Sequence, residues 1–530
     1  MLVVSADAKR VGDSHANYEV VWRPQPGSQA IAFDTRCDHT LYHGTRGPGK
    51  TSTQLMRFKS RVGLGYGQFW RGIIFDLEFD HLGGLVTESK KWFPRFDDGA
   101  RFLESSSQYK WVWPTGEELL FRHVKKIQDY EGFHGWEIPF IGWNELTKHA
   151  SSDLYDKFMS INRSTFDPVN DTPKDKNGNY LTSNGKPLPP IPLEVFSTAN
   201  PSGPGHNWVK RRFITAAPTG RVVRTNVDLF NPQTQKKETH TRTQVAILGS
   251  YRENRFLPPD YIAELELIKD PNLRRAWLDG DWDVTAGGAI DDLWRLKVHV
   301  VPRFVVPHSW RIDRSFDDGS SHPFAVVWWA EADGTEATIV LADGTPYTFC
   351  PQPGSLIAVH EWYGCELDHL GRYRPNVGVK MSAKSIAQGI KDREQALMTL
   401  KWILTQPNPG AADNRIRQVI DVETETTEKI MSKEGIRWLE SDKSPGSRII
   451  GLQLIRDRLE AAIKGEGPAL YFMSHCKAAI DILPTLPRDV KKPDDVDTTS
   501  EDHIYDAVRY RCLHGAAKYF SKKLKFIISS

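Results

Sequence analysis

From Asp38 to about Phe230, short apolar runs alternate with stretches of helical periodicity, the rhythm of an α/β fold. Residues 1–37 precede this region. They are polar and proline-marked (VWRPQPGSQ), which predicts an extended lead-in. Residues 170–192 (NDTPKDKNGNYLTSNGKPLPPIP) break the rhythm with Gly, Pro and Asn, predicting a surface insertion. A helix is expected over 258–279, after a proline pair. The Gly/Asp-rich stretch GDWDVTAGGAIDD then marks a junction near 284–292. A second α/β pattern follows. It predicts strands at 308–317, 323–330, 336–341 and 356–363, with the hairpin signals ADG and DGT between them. It also predicts a helix at 382–402, a short strand in WILTQPNP and an amphipathic helix at 447–464. No internal repeat is visible. The expected organisation is a first domain over 1–284, a linker over 285–299, a second domain over 300–515 and a tail over 516–530.

Length agrees with this division: 530 residues at ~150 per domain suggest two to four domains. With 39% hydrophobic and 26% charged residues, the chain is of ordinary globular composition and not mainly disordered. Lys plus Arg is 69 and Asp plus Glu 67, so bulk charge announces no nucleic-acid partner and any basic surface must be local. No apolar run approaches the ~20 residues that span a bilayer, so no membrane partner is expected. The start, MLVVSADAKRVGDSH, does not read as a secretory signal. The five cysteines (Cys37, Cys350, Cys365, Cys476, Cys512) form no CxxC, which points to a reducing compartment and away from a disulfide framework or zinc site. The end, KYFSKKLKFIISS, has four lysines and no acid, and reads as a loose basic tail.

The strongest chemical signal is Gly44-Thr45-Arg46-Gly47-Pro48-Gly49-Lys50-Thr51, which fits G-x-x-x-x-G-K-[ST]. A short strand (TLYHG) precedes it and a helical stretch (TSTQLMRFKSRV) follows, as a phosphate-binding loop requires. Glycines let backbone N–H groups turn inward around phosphate oxygens, and the helix N-terminus favours the anion. Lys50 would reach the β- and γ-phosphates of ATP, and the Thr51 hydroxyl would ligate Mg²⁺. Arg46 is either a loop charge or a guanidinium that stabilises the γ-phosphate. A second apolar run, Ile138–Trp143, ends in Asn144-Glu145. Glu145 is placed to orient or deprotonate the attacking water. Asn144 stands where a Mg²⁺-organising aspartate is expected; an amide can bond a metal-bound water but brings no charge.

The stretch Phe196-Ser-Thr-Ala-Asn200-Pro-Ser-Gly-Pro-Gly-His206-Asn-Trp-Val-Lys-Arg-Arg-Phe213 resembles the coupling motif of bacteriophage terminase large subunits. Trp22-Arg-Pro-Gln-Pro-Gly-Ser-Gln29 resembles that family's lead-in, and the resemblance runs on through Gly280-Asp-Trp282 into the C-terminal half. It implies a P-loop ATPase domain followed by an RNase H-like (RuvC-type) nuclease domain. Gln29, chosen over Gln25, would recognise adenine. Thr198 and Asn200 would sense the γ-phosphate and couple hydrolysis to movement. Many relatives carry Asp at the position of Asn144, so the usual Mg²⁺ arrangement is in question.

Nucleases of the implied type use carboxylates converging on two metal ions ~3.5–4 Å apart. Trp310-Arg-Ile-Asp313-Arg-Ser-Phe-Asp317-Asp318-Gly319 resembles the family's first strand, with Asp317 matching its metal ligand. Asp313 shares a strand face with Asp317 and is the local rival; Asp318 would point the other way. Gly410-Ala-Ala-Asp413 resembles the second position, with Glu361 at the end of LIAVHEWYG as competitor. Glu501-Asp502-His503-Ile-Tyr-Asp506-Ala507 looks like the third, and Asp502 and Asp506 share one helix face. His503 suits packing better than ligation, because Mg²⁺ and Mn²⁺ sites favour oxygen.

The resemblance implies a DNA-packaging motor in the host cytoplasm. It would be an ATPase and metal-dependent endonuclease acting on double-stranded DNA. Its partners would be a portal protein, a small terminase subunit and further copies of itself in a ring. Arg163 is a speculative finger acting in trans. Lys518, Lys522, Lys523 and Lys525 of the tail are candidate contacts to DNA phosphate or an acidic portal surface. Two rivals stand beside this reading: a P-loop helicase-nuclease with no capsid partner, and a portal-docking subunit whose motor has decayed.

Overall fold

The computed structural model describes residues 3–4, 20–105, 108–231, 234–269, 271–283, 288–341, 343–367, 373–418, 425–489 and 491–514. The expected basic tail lies outside the described residues. The chain divides into two compact units, 1–286 and 287–530.

In the first unit, β1 (Val3–Val4) pairs with β2 (Val20–Trp22). The main sheet holds β3 (His39–Gly44), β4 (Arg71–Asp76), β5 (Arg101–Leu103), β6 (Lys110–Val112) and β7 (Glu118–His123). It is completed by β8 (Phe140–Trp143), β9 (Glu194–Ala199), β10 (Val223–Asn231) and β11 (Lys236–Gly249). The strand order is β10-β11-β3-β9-β8-β4-β7-β6-β5. Every pair from β11 through β7 is parallel, and the two flanks are antiparallel.

Central parallel strands are covered on both faces, which explains why β8 and β9 are buried throughout. Alternate residues of β4 feed two cores. Ile74 packs with Leu55, Phe58 and Phe196; Ile73 and Phe75 pack with Trp143, Val195 and Trp208. Burying each such side chain contributes ~1.5–3 kcal/mol, and the layering leaves the carboxyl ends of β3, β9, β8 and β4 side by side.

In the second unit the strands are β12 (Val300–Val301), β13 (Arg311–Asp317), β14 (Ala325–Glu331), β15 (Ala337–Val340), β16 (Pro346–Phe349) and β17 (Leu356–Tyr363). They continue with β18 (Cys365–Leu367), β19 (Tyr373–Gly378), β20 (Ala411–Ala412), β21 (Leu439–Glu440) and β22 (Leu470–Met473). The main sheet runs β12-β22-β17-β14-β13-β20-β21. Its middle is an antiparallel meander β13-β14-β17, and β20 and β21 add parallel to β13 on the other side. This is the strand order of an RNase H-like fold, extended at one edge by β22 and β12. One core holds it together, centred on Phe316, Trp328, Trp329 and Phe472.

Four local expectations need correction. The lead-in contains the helix Ser28–Asp34, with Ala32 and Phe33 buried; seven residues behind two prolines are too few to show a period. Of the segment expected as a linker, residues 288–299 belong to the second unit. Ala289 and Ile290 are buried in its core, and Asp292 pairs with Arg456 at 2.7 Å. WILTQPNP forms no strand: Asn408 makes only an isolated bridge to Asp313, and the strand comes later, at β20. The helix expected at 258–279 is broken into Pro259–Glu266, Pro271–Arg274 and a wider π-type turn, Arg275–Asp279. Among the described residues, no helix is long and apolar enough to cross a membrane.

Candidate functional sites: a phosphate-binding loop and a carboxylate cluster

The loop after β3 is shaped by its glycines. Gly44, Gly47 and Gly49 all have positive φ (120°, 93° and 87°), where a side chain would be strained. A Cβ on Gly44 would stand 2.4 Å from the Gly249 carbonyl, and one on Gly49 would stand 2.5 Å from Gln29 Nε2. Gly49 immediately precedes the helix Lys50–Lys59, so the free N–H groups of that helix open onto the loop. The Thr45 hydroxyl accepts from the Tyr251 N–H at 2.6 Å, and Asn254 Nδ2 donates to the Gly47 carbonyl at 2.6 Å. Lys50 is buried. Its Nζ donates to the Thr45 carbonyl (2.6 Å) and to Asn200 Oδ1 (2.9 Å). Burial pulls the Lys50 ammonium down to about 8, partly offset by Glu145 and reinforced by Arg46. A glycine-built cradle with a lysine at its base fits the chemistry of a nucleotide phosphate.

Strand order makes the rest of the site. Because β9 lies between β3 and β8, its end carries Asn200 to a point between Lys50 and Glu145. Asn200 Nδ2 is 3.4 Å from Glu145 Oε1. Glu145 has a left-handed backbone (φ 51°), rare for a non-glycine residue and costing ~1–2 kcal/mol. Both of its peptide groups are held: its N–H donates to Thr198 Oγ1 at 3.0 Å, and its carbonyl accepts from the Lys148 N–H at 2.9 Å. Thr198 in turn donates to Asn144 Oδ1 at 3.4 Å.

The Asn144 side chain does not stand free. Its Nδ2 donates to Asp76 Oδ2 at 2.7 Å, and Lys148 Nζ bridges both Asp76 oxygens at 2.9 and 3.1 Å. Asp76, at the end of β4, is fully buried. Sequence reasoning passed over Asp76 and Lys148. A signal existed, since RGIIFD is an apolar run ending in an acid, as IPFIGWNE is.

Arg46 is exposed; its N–H donates to the Trp277 carbonyl (3.1 Å) and its guanidinium lies 3.4 Å from the Trp277 ring centre. Gln29 is buried beneath the loop. Its Oε1 accepts from the Gln25 N–H at 2.7 Å, and its Nε2 is 3.4 Å from the Gly49 carbonyl. Gln25 is spent on Asn254 and the Arg255 N–H, each at 2.8 Å. Pro48 offers its carbonyl to the Tyr42 hydroxyl at 3.2 Å, and Thr51 follows Lys50 in the first helical turn. Arg163 is exposed and bonds the Gly135 carbonyl at 2.9 Å. Trp282 Nε1 donates to His43 Nδ1 (3.0 Å), while His206 Nε2 meets the Trp282 carbonyl (2.9 Å). The Gly280-Asp-Trp282 turn therefore ties β3 to the helix His206–Val209. Burial pulls both histidines down to about 3, helped by Lys50 for His43 and by Lys210 for His206.

In the second unit, β20 lies beside β13 with Phe316 opposite Ala412, so Asp413 emerges next to Asp317. Both are buried. Helix 503–514 crosses them with His503 and Tyr510, two turns apart, on one face. The Tyr510 hydroxyl is 3.4 Å from Asp317 Oδ1 and 3.4 Å from Asp413 Oδ2; His503 Nδ1 is 3.3 Å from Asp317 Oδ2. Asp413 also meets Arg415 Nε at 3.0 Å and Lys443 Nζ. Arg448 sits against Asp502 (3.5 Å) and Asp506 (3.4 Å), and Arg509 pairs with Asp506 at 2.9 Å.

Burial, with the charges of Asp506 and Asp413, pushes Asp317 up to about 6 against the pull of His503. Burial and Asp506 push Asp502 up to about 7. Burial also raises Asp413, but the Arg415 N–H and Lys443 outweigh it and hold that carboxyl below its ordinary value. Among the described residues, no three His, Cys, Asp or Glu side chains are disposed to hold one metal ion. Asp317 and Asp413 nevertheless fit a cation that prefers oxygen: they are adjacent, buried and aimed at one point. Asp502 and Asp506, as they lie, are engaged by Arg448.

The rivals occupy other roles. Asp313 is bound to Arg511 Nε at 2.6 Å. Glu361 accepts from the Ala478 and Ala479 N–H groups (2.6 and 3.0 Å), capping the helix Lys477–Ile482, and burial pushes it up to about 7. The Asp318 backbone carbonyl accepts from Arg415 Nη2 at 3.2 Å, while its carboxyl stays in the field of the cluster: burial raises it, Arg415 lowers it and Asp413 raises it.

No protein-family model matches the sequence, and no curated protein matches it. Several solved structures do. The large terminase of the HK97 bacteriophage matches at 11% identity over 93% of this chain and 95% of that one, with a TM-score of 0.40. The large terminase of a thermophilic bacteriophage matches at 12% over 92% and 98%, with a TM-score of 0.36. The P22 large terminase nuclease domain matches at 14% over 43% and 93%, with a TM-score of 0.29. At TM-scores of this size, the functional reading stands on the residues of the two sites themselves.

Proposed function

We propose that this chain is the large subunit of a viral DNA-packaging motor, hydrolysing ATP to translocate double-stranded DNA into a procapsid and cleaving concatemeric DNA. The observation that carries the ATPase reading is the position of Asn200, 2.9 Å from the Lys50 ammonium and 3.4 Å from Glu145, between a phosphate lysine and a candidate catalytic carboxylate. ATP would lie over Gly44–Thr51, with Lys50 on its β- and γ-phosphates and Thr51 holding Mg²⁺. Glu145 would take the proton of the attacking water or orient it, and Asn200 and Thr198 would report the γ-phosphate. Gln29 is assigned to nucleotide recognition and Arg46 to γ-phosphate charge.

In the second unit, Asp317 and Asp413 would hold Mg²⁺ or Mn²⁺, with Asp502 and Asp506 at the third position once Arg448 releases them. Bound there, the ions would supply an activated water and stabilise the leaving 3′-oxygen. DNA contacts would go mainly to phosphates, because a translocating motor cannot depend on base sequence. The partners on this reading are a portal protein, a small terminase subunit and further copies of this chain in a ring, in the host cytoplasm.

The test is phosphate release by the full chain with and without double-stranded DNA, alongside plasmid nicking with Mn²⁺. DNA-stimulated ATP turnover and Mn²⁺-dependent nicking support the reading; strand separation coupled to ATP use would favour the helicase-nuclease alternative.

A further inference from the structure

A carboxylate is expected next to the catalytic glutamate of a P-loop ATPase, and this chain has Asn144 there. The missing charge is not missing from the fold. It sits one strand away, on Asp76 at the end of β4, which pairs in parallel with β8. Asn144 links that carboxylate to the site: Nδ2 donates to Asp76 at 2.7 Å and Oδ1 accepts from Thr198 at 3.4 Å. The same Thr198 oxygen receives the Glu145 N–H. On the other side Lys148 binds Asp76 with its ammonium and the Glu145 carbonyl with its N–H. His81 Nδ1, at 3.5 Å, also faces Asp76. Two routes therefore run from one buried carboxylate to the two peptide groups flanking Glu145, the residue with the strained left-handed backbone.

We infer that Asp76 is a positioning residue for ATP hydrolysis, acting through Asn144, Thr198 and Lys148 to hold Glu145 in its left-handed turn. The inference rests on the ATPase reading proposed above. It gives Asn144 a role different from that of a neutral substitute for a metal-organising aspartate: the amide is needed because it must donate to one neighbour and accept from the other. An aspartate at 144 would present Asp76 with a second carboxyl group in place of the donating amide.

The decisive experiment compares Asp76→Asn, Asn144→Asp and the exchanged double variant in the full chain. kcat and KM for ATP would be measured by phosphate release, and affinity by fluorescent-nucleotide binding. Each single variant is expected to lose about tenfold or more in kcat with KM changed less than about twofold, as for a group that acts only on the chemical step. The double variant restores one carboxylate and one amide across the same gap. It is expected to turn over clearly faster than either single variant, though below the parent because Lys148 then faces an amide, a non-additivity that a merely structural pair would not give in kcat alone. Asn144→Asp turning over at or above the parental rate would overturn the inference, and so would a double variant no better than the weaker single one.

Should a single variant lack a cooperative melting transition, Lys148→Met decides instead. It frees Asp76 from its ammonium without adding charge, and must lower kcat at unchanged nucleotide affinity; a parental kcat overturns the inference. A parent protein inert on ATP under all conditions would sink the ATPase reading itself, a result distinct from an active parent with indifferent variants.

Discussion

On the proposed ATPase reading, Asn200 joins Lys50 to Glu145, and the geometry sets the magnitude of its removal. Its Oδ1 accepts from the Lys50 ammonium at 2.9 Å and its Nδ2 reaches Glu145 at 3.4 Å. The first is a charge-assisted bond at a buried lysine, in the class whose loss costs ~1.5–3 kcal/mol; the second is too long to add much in this state. Asn200→Ala should therefore lower kcat by about 10- to 150-fold, taking ~1.4 kcal/mol per tenfold. Nucleotide affinity should fall less, because the loop, the helix N-terminus and the Thr45 contact to Lys50 remain.

Asn200→Asp should be worse than alanine for turnover, since it sets a second carboxylate beside Glu145 and draws Lys50 toward itself. Steady-state phosphate release gives kcat, and fluorescent-nucleotide titration gives affinity independently. If Asn200→Ala turns over ATP within about threefold of the parent at equal affinity, the line from Lys50 to Glu145 is not the working arrangement.

Lys50→Ala should abolish hydrolysis, and Glu145→Gln should bind ATP without hydrolysing it; parental turnover by the latter removes Glu145 from the catalytic role. The parent should nick plasmid with Mn²⁺ and melt at higher temperature in its presence, since crowded carboxylates are relieved by a cation, and Asp317→Ala or Asp413→Ala should eliminate both effects. Glu361→Ala should spare nicking while costing ~1 kcal/mol of stability, as loss of a helix cap does; nicking lost there and kept in Asp413→Ala would reverse the assignment. His43 and His206 are held near 3, below the ordinary histidine value, so the unfolded chain takes up their protons first as pH falls. Their contribution to stability is whole above about 6.5 and is lost from there toward 3, at ~1.4 kcal/mol per pH unit for each. Melting curves from pH 7.5 to 5 should be shallower in His206→Gln than in the parent, and equal slopes would refute the account.

Residues whose role is written into consecutive positions are legible in the sequence alone. Gly44 to Thr51 state a strand, a turn and a helix in one line of text, and the α/β alternation around them follows from periodicity. Asp76 is not legible in this way, because its meaning depends on Asn144, 68 positions later, and only the parallel pairing of β4 with β8 brings the two together. Ala289 and Ile290 are hidden for a different reason: two apolar residues among glycines and aspartates show no period, yet they are buried in the core of the second unit.

The choice between Asp413 and Glu361 shows what kind of information a linear sequence lacks. Both are acids at or near the end of an apolar run, and spacing alone cannot rank them. Strand order can. Asp413 follows β20, the direct neighbour of β13, so it must emerge beside Asp317. Glu361 lies on β17, with β14 between it and β13, and its carboxylate turns away to the N–H groups of Ala478 and Ala479. The first unit obeys the same rule, where β9 carries Asn200 into the gap between Lys50 and Glu145 because it lies between β3 and β8. Function gathers at the carboxyl ends of neighbouring parallel strands. Which acids reach such a point is a property of sheet topology: Asp413 stands one strand from Asp317, while Glu361 stands two strands away and level with Ser315.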